Sequence, residues 1–586
     1  MSATVQTGQR GINRIGARYF QCCQIQLKAS MFKTKVIPSV LLALCPVVFA
    51  QQAPSAGSQI RQIPVIPGQP LAAPAIEVKP AYPAKEDAID TAKITVNSVR
   101  VTGAKAYSEA DLIAVTDFKP GSLLTLTDLR GMANRITSHY QRQGYFVAQA
   151  YLPAQDVKGG VVTIAVIEGQ YGKVTLNNQT NVSNTLANSL LSGLNPGDVV
   201  AAAPLENRLL SLSDLPGVQV SSSLVPGAEA GSSDLIVSLT PGRRVTGSID
   251  ADNAGNRYTG VYRVGATVNF NEPLGLGDVA TLRVLTSVEG LRYARGAYQL
   301  QFGKATAGVA YSALAYELGE EFAPLQAHGT ARVASVYGSY PLIRSRNNNL
   351  SAGLLYDDKT FSDKVDTTGS VTDKEAQVAT ASLYGNRSDL LGGGGQTRYS
   401  VAWSTGNIDL LTPGAQVADA ATAQSGGHFN KFGYSLQRLQ RVTDRVSLSA
   451  SINGQLASKN LDVSEKMELG GMYGVRAYPE GEAYADQGYV VNLEARLQVP
   501  QFSNYLPGQL QLIGFVDAGQ VTVNKKPWPG LGANQRTLSG AGVGFNWSDT
   551  NNFMVRAYYA VKLGDEAATS APDKSGRFWI QAVKYF

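Results

Sequence analysis

The sequence predicts a transmembrane β-barrel of about sixteen antiparallel strands, preceded by two small α/β modules. Three observations carry that prediction. Charged residues make up only 16% of the 586, alongside 60 glycines and 27 tyrosines. After residue 50 no apolar run reaches the roughly 18 residues that a bilayer-spanning helix needs. From Arg243 onward the chain breaks into strand-length segments of alternating polarity, separated by Gly, Asn, Asp and Ser clusters.

Residues 1–30 fit no targeting pattern, and Met31 is a plausible alternative start. Residues 31–50 read as a secretory signal peptide. Lys33 and Lys35 give the positive start, Val36 to Phe49 the apolar core, and Val48-Phe49-Ala50 the cleavage site. Cys22, Cys23 and Cys45, the only cysteines, all precede the cleavage point, so the mature chain has no thiol chemistry. The same fifty residues hold six basic and no acidic side chains. Removing them turns 51 basic against 45 acidic into 45 against 45. A mature chain of zero net charge gives no case for nucleic-acid binding.

Residues 51–93 are rich in Pro, Ala and Gln (Pro54, Pro64, Pro67, Pro70, Pro74, Pro80, Pro83). They are expected to be an extended or mobile linker, with a short helix possible from Lys85 to Lys93. Residues 94–169 read as strand, helix, helix, strand, strand. Thr125 can cap the second helix, and Leu129, Met132, Ile136 and Tyr140 form its apolar face. Residues 170–241 repeat that order, with helices near 184–191 and 205–212. Two short three-stranded modules in tandem leave a free sheet edge that can accept an extended peptide. The plainer alternative is two spacers.

Residues 242–586 carry the strands of the barrel. The expected segments run from Val245–Asp252 to Arg577–Phe586, and the seventh ends at Asp358. Connections alternate between brief ones, such as Ser548–Asn552, and long ones, such as Lys459–Gln487. That is the pattern of short periplasmic turns and long outer loops. Within the longest connection lies LGGMYGVRAYPEGE, Leu469–Glu482, where Gly470, Gly471 and Gly474 permit a tight fold-back. About forty residues on, GFVDAG holds Asp517, the only charge between Gln501 and Lys525. Arg476 and Asp517 are therefore expected to meet inside the barrel; the plainer reading is a solvated arginine on a surface hairpin.

These stretches resemble the two signature motifs of the two-partner secretion transporters, the ShlB/FhaC/HecB group of the BamA-like superfamily. The loop motif comprises Gly470, Gly471, Gly474, Val475, Arg476, Tyr478, Pro479, Gly481 and Glu482; the wall motif comprises Phe515, Asp517 and Gly519. GYFVAQAYLPAQDV (Gly144–Val157), VIEGQYGKV (Val166–Val174), DNAGNRYTGVYRVG (Asp252–Gly265) and NEPLGLGD (Asn271–Asp278) agree, so the resemblance covers about residues 94–586. It implies two periplasmic POTRA domains and a sixteen-stranded outer-membrane barrel whose sixth outer loop folds into the lumen. It also implies a lock between Arg476 at that loop's tip and Asp517 on the wall. Ala477 stands where the family often has Gly. Some members plug the pore with an N-terminal helix. Here the Pro-rich segment precedes the only candidate helix, so no plug of that kind is expected.

The function expected is export without chemistry. An unfolded exoprotein (haemolysin-, adhesin- or toxin-like) binds the POTRA domains and passes through the barrel of a Gram-negative outer membrane, in contact with its lipid. No GxxxxGK[ST] loop occurs, so ATP is not expected as driver. No cofactor, metal set or catalytic residue is expected. His139, His328 and His428 lack ligand spacing, Asp250, Asp252 and Asn253 do not fit a calcium loop, and Gly392–Gly395 reads as a periplasmic turn. The alternatives are an assembly factor for other barrels and a passive solute channel.

Overall fold

A computed structural model describes residues 54–64, 75–78, 92–229, 231–500 and 507–586. The expectations for residues 1–50, and all but the last residues of the 85–93 helix, lie outside that set. In chain order, α1 (Ala56–Arg61) and β1 (Ala75–Val78) come first. The first module follows with β2 (Lys93–Val96), β3 (Ser98–Thr102), α2 (Glu109–Val115), β4 (Ser122–Thr125), α3 (Leu126–Arg142), β5 (Gln149–Tyr151) and β6 (Val161–Ile167). The second has β7 (Gln170–Asn178), α4 (Asn184–Leu191), α5 (Ala202–Ser213), β8 (Val218–Pro226) and β9 (Ser232–Pro241).

Each module closes on its own core. Thr125 caps α3 in a reciprocal box with Asp128, and Leu129, Met132, Ile136 and Tyr140 are buried against the sheet order β3-β6-β5. Tyr140 donates to the buried Glu168 carboxylate at 2.9 Å, and burial pushes its phenol well above the ordinary value. In the second module Leu190, Leu205, Leu209 and Leu212 are fully buried. Its sheet corrects the expected free edge: the order is β1-β8-β9-β7, with β1 from the linker lying parallel to β8.

The barrel strands are β10 (Val245–Asp252), β11 (Arg263–Asn271), β12 (Val279–Ser287), β13 (Leu291–Phe302), β14 (Ala305–Glu317), β15 (Ala327–Arg344), β16 (Asn348–Val365) and β17 (Ser370–Asp389). Then come β18 (Gly395–Leu410), α6 (Pro413–Ala421) in an outer loop, β19 (Gly427–Arg441) and β20 (Val446–Ala457). The long connection after β20 contains the short ladder of β21 (Met467–Glu468) and β22 (Tyr484–Ala485). β23 (Gln487–Gln498), β24 (Gln509–Thr522), β25 (Gln535–Asp549), β26 (Phe553–Lys562) and β27 (Gly576–Tyr585) complete the circuit. All neighbours are antiparallel, and β10 pairs with β27 over Ser248–Asp252, closing a sixteen-stranded barrel.

Alternation decides which face is which. Along β12 Leu282 and Val284 are exposed on the lipid side, whereas Arg283 and Leu285 are buried inward. The tall strands depart from expectation. β16 runs to Val365, seven residues past Asp358, with Asp358, Thr360, Ser362 and Lys364 on the outer face. A wall standing above the bilayer meets water outside, so the apolar half of the alternation disappears while the ladder continues. Asp250 and Asp252 sit on β10 in ion pairs with Arg283 (2.9 Å) and Arg263 (2.9 Å).

Candidate functional site

Two inserts fill the lumen. One is the loop between β20 and β23; the other is α1. The loop folds back through Val475 N–H to Leu469 C=O (2.9 Å) and Gly470 N–H to Glu482 C=O (3.1 Å). Gly474 is required by closeness: a Cβ there would sit 2.3 Å from the Leu469 carbonyl oxygen. Gly471 has φ +92°, in the left-handed region that side chains disfavour.

The loop tip presents Arg476 to the wall. Its Nε and Nη2 donate to the two Asp517 carboxylate oxygens at 2.8 and 2.7 Å, and its backbone N–H also donates to Asp517 at 3.1 Å. Nη1 donates to Glu494 at 2.8 Å, and the guanidinium lies 3.5 Å from the Phe515 ring centroid. Arg476 is 4% exposed and Asp517 0%. A fork on a carboxylate, stacked on an aromatic face, is a geometry that only arginine supplies.

Sequence reasoning expected Arg476 and Asp517 to meet, and they do. It missed the rest of the seat. Asn492 donates to both Asp517 (2.8 Å) and the Gly474 carbonyl (3.0 Å), and Trp579 Nε1 donates to the Arg476 carbonyl (2.7 Å). Asn492 and Glu494 occupy alternate positions on β23, so their inward face was readable but their partners were not. Gly519 and Gly540 accept the loop closely: Cβ atoms there would lie 2.4 Å from Leu469 Cδ1 and 2.5 Å from Ala477 Cβ. Ala477 is therefore accommodated by a glycine opposite.

The remaining motif residues tie the loop to the β26–β27 connection. Glu482, fully buried, accepts from Thr569 and Ser570 backbone and hydroxyl groups and from Arg536 (2.9 Å). Tyr478 donates to the Glu566 carbonyl at 2.9 Å. Pro479 and Gly481 lie in the return of the loop, where the Gly481 N–H donates to Glu468.

The structure corrects the expectation of an unplugged lumen. α1 lies inside the barrel with Ala56, Gly57, Ser58 and Gln59 buried. Its first N–H donates to Asp363 at 2.7 Å, Thr259 donates to Gln59 at 2.8 Å, and Arg263 donates to the Gln62 carbonyl at 2.9 Å. The stretch Ser55–Ile63 is free of proline between Pro54 and Pro64, which is what lets it turn helical. It buries against other elements, an outcome that its composition does not reveal.

The plug rests on the loop. A Cβ on Gly57 would come 3.0 Å from Ser464 Cβ, in the turn Val463–Glu465. That turn is pinned to the wall by Lys374–Asp462 (2.7 Å), Lys359–Glu465 (2.7 Å) and Lys431–Glu465 (2.6 Å). Gly57→Val is expected to overpack this contact by about 1–3 kcal/mol. The helix should then leave its seat, seen as increased vancomycin sensitivity of cells at unchanged barrel level.

Among the described residues no group of three or more His, Cys, Asp or Glu side chains converges as a metal set. The comparisons with known proteins agree with each other. The profile of the haemolysin secretion/activation protein family ShlB/FhaC/HecB matches residues 231–547, and that of the ShlB-type POTRA domain matches residues 94–169. The heme/hemopexin transporter protein HuxB of Haemophilus influenzae is 29% identical over 472 residues, covering 80% of this chain and 82% of that protein. The outer membrane transporter CdiB of Dickeya dadantii is 23% identical over 456 residues, covering 75% and 78%. Among solved structures, CdiB from Escherichia coli superimposes with a TM-score of 0.64 at 20% identity, covering 86% of this chain and 93% of that one. BamA from Haemophilus ducreyi lacking POTRA domains 1–3 gives 0.52 at 14% identity, covering 84% and 100%.

Proposed function

The chain belongs to the haemolysin secretion/activation family ShlB/FhaC/HecB, an outer-membrane transporter family, and from that premise we propose that it exports one unfolded exoprotein. Its POTRA domains, on the periplasmic side, receive the cargo; the barrel conducts it. The observation that carries this reading is the doubly filled lumen. α1 and the Arg476 loop occupy the space inside a closed wall, and neither is part of that wall. A passive solute channel has no use for two inserts that fill its lumen above a pair of small α/β modules.

Recognition uses the β8 edge. β1 occupies it through four register pairs, Ala75–Ser221 to Val78–Leu224. A cargo segment of the same extended form satisfies the same backbone groups, so it exchanges with β1. Because β1 follows α1 in the chain, that exchange frees the segment C-terminal to the plug. No nucleotide is consumed; folding of the cargo outside biases the passage.

The test compares culture-supernatant and surface proteins with and without the gene. Loss of one very large protein, with other outer-membrane barrels unchanged, is expected. An unchanged supernatant with depleted barrels would instead establish an assembly factor.

A further inference from the structure

A cavity of about 1350 Å³ lies between α1, the second module and the lower barrel wall. Its charges are unequal. Five cations line it, Arg61, Arg243, Arg283, Arg295 and Lys359, against two carboxylates, Asp214 and Asp357. Both carboxylates are already engaged. Asp214 holds Arg344 at 2.7 Å, and Asp357 accepts from Ser335 at 2.7 Å with Lys359 at 3.7 Å. Arg283 is used by Asp250, and Lys359 also by Glu465.

That leaves Arg61, Arg243 and Arg295. Among the described residues none of the three makes an ion pair with a carboxylate, although Arg61 lies within electrostatic reach of Glu468. They sit on three different elements: the last turn of the plug, the entry to β10, and the inner face of β13. A mature chain of zero net charge thus gathers positive charge around one partly open cavity, with Arg61 and Arg243 exposed to solvent and Arg295 half-buried. Low-dielectric walls focus such a field and raise the local concentration of counter-charges by about 10- to 1000-fold.

We propose that this vestibule is a binding site for carboxylate-rich peptide, and that its occupant is an Asp/Glu-bearing stretch of the exported chain. The proposal rests on reading the cavity as the cargo entrance. Arginine forks match peptide carboxylates in pairs. Arg61 adds a consequence, since a carboxylate drawn to it touches the plug at the end nearest the periplasm. An acidic segment therefore accumulates at the point where the plug must be displaced.

The test uses the full chain in detergent and two fluorescein-labelled peptides, polyglutamate and polylysine, followed by anisotropy. At about 0.02 M salt, polyglutamate should bind at least about tenfold tighter than polylysine. At about 0.5 M salt the preference should vanish, because screening shortens the field to a few ångströms. The double variant Arg243→Gln/Arg295→Gln should weaken polyglutamate, and Arg243→Glu/Arg295→Glu should reverse the preference. Arg332→Glu, on the outer face of β15, should change nothing. Heat-modifiable gel migration confirms that each barrel is folded. Equal binding of the two peptides, or a preference that survives charge reversal in a folded barrel, would overturn the proposal. The supernatant comparison fails separately, since the peptide preference does not depend on which cargo exists.

Discussion

Arg476→Ala is expected to reduce secretion severely while the barrel still assembles. The substitution removes a fork on Asp517, a bond to Glu494 and a stack on Phe515, and leaves the buried Asp517 carboxylate without its cation, while Glu494 keeps its pair with Arg496 (2.7 Å). Breaking a buried pair from one side costs about 3–5 kcal/mol. At about 1.4 kcal/mol per tenfold, the seated loop loses roughly two to four orders of magnitude in population relative to unseated ones. The freed loop is still tethered at β20 and β23, so it stays in the lumen and obstructs the path. Assembly is spared because the β-ladder on either side of Asp517 involves backbone groups alone. Arg476→Lys should fall between wild type and Ala, keeping charge but losing the fork. The measurement is secreted exoprotein per unit of transporter in the outer membrane. Wild-type export by Arg476→Ala at wild-type transporter level would refute the lock.

Stapling β1 to β8 is expected to stop export reversibly. Glu77 and Ser223 are register partners, and the only native cysteines precede residue 50. Glu77→Cys with Ser223→Cys therefore introduces one defined pair, which the oxidising periplasm should close. If cargo takes the β8 edge, the staple denies it that edge and also holds the linker to the plug. Secretion should fall to background, return on adding reductant, and remain normal in either single variant. Full export with the crosslink quantitatively formed would show that β1 need not leave for export, and recognition would have to be sought elsewhere on the modules.

The two tests separate two questions. The staple asks whether cargo enters by strand exchange; the arginine variant asks whether the inner loop must hold its seat. A transporter that passes the first and fails the second would bind cargo without conducting it.

Much of this architecture was determined by the sequence alone. Period-two alternation from Arg243 requires strands, and a chain of low charge with no long apolar run requires that they close on themselves in a bilayer. The glycines of Leu469–Glu482 permitted a tight fold-back, and an arginine inside it together with a lone Asp517 suggested a pair, with a solvated surface arginine as the plainer alternative. What only the tertiary structure decided are the contacts between segments that carry no pattern of their own. The upper half of β16 is wet outside, so it shows no alternation. Asn492, Glu494 and Trp579 look like ordinary inward positions until the loop arrives over them. The linker segments Ala56–Arg61 and Ala75–Val78 are too short to bury anything by themselves. Their structure comes from the lumen and from the β8 edge, whose unpaired groups they satisfy, and that information lies in residues hundreds of positions away.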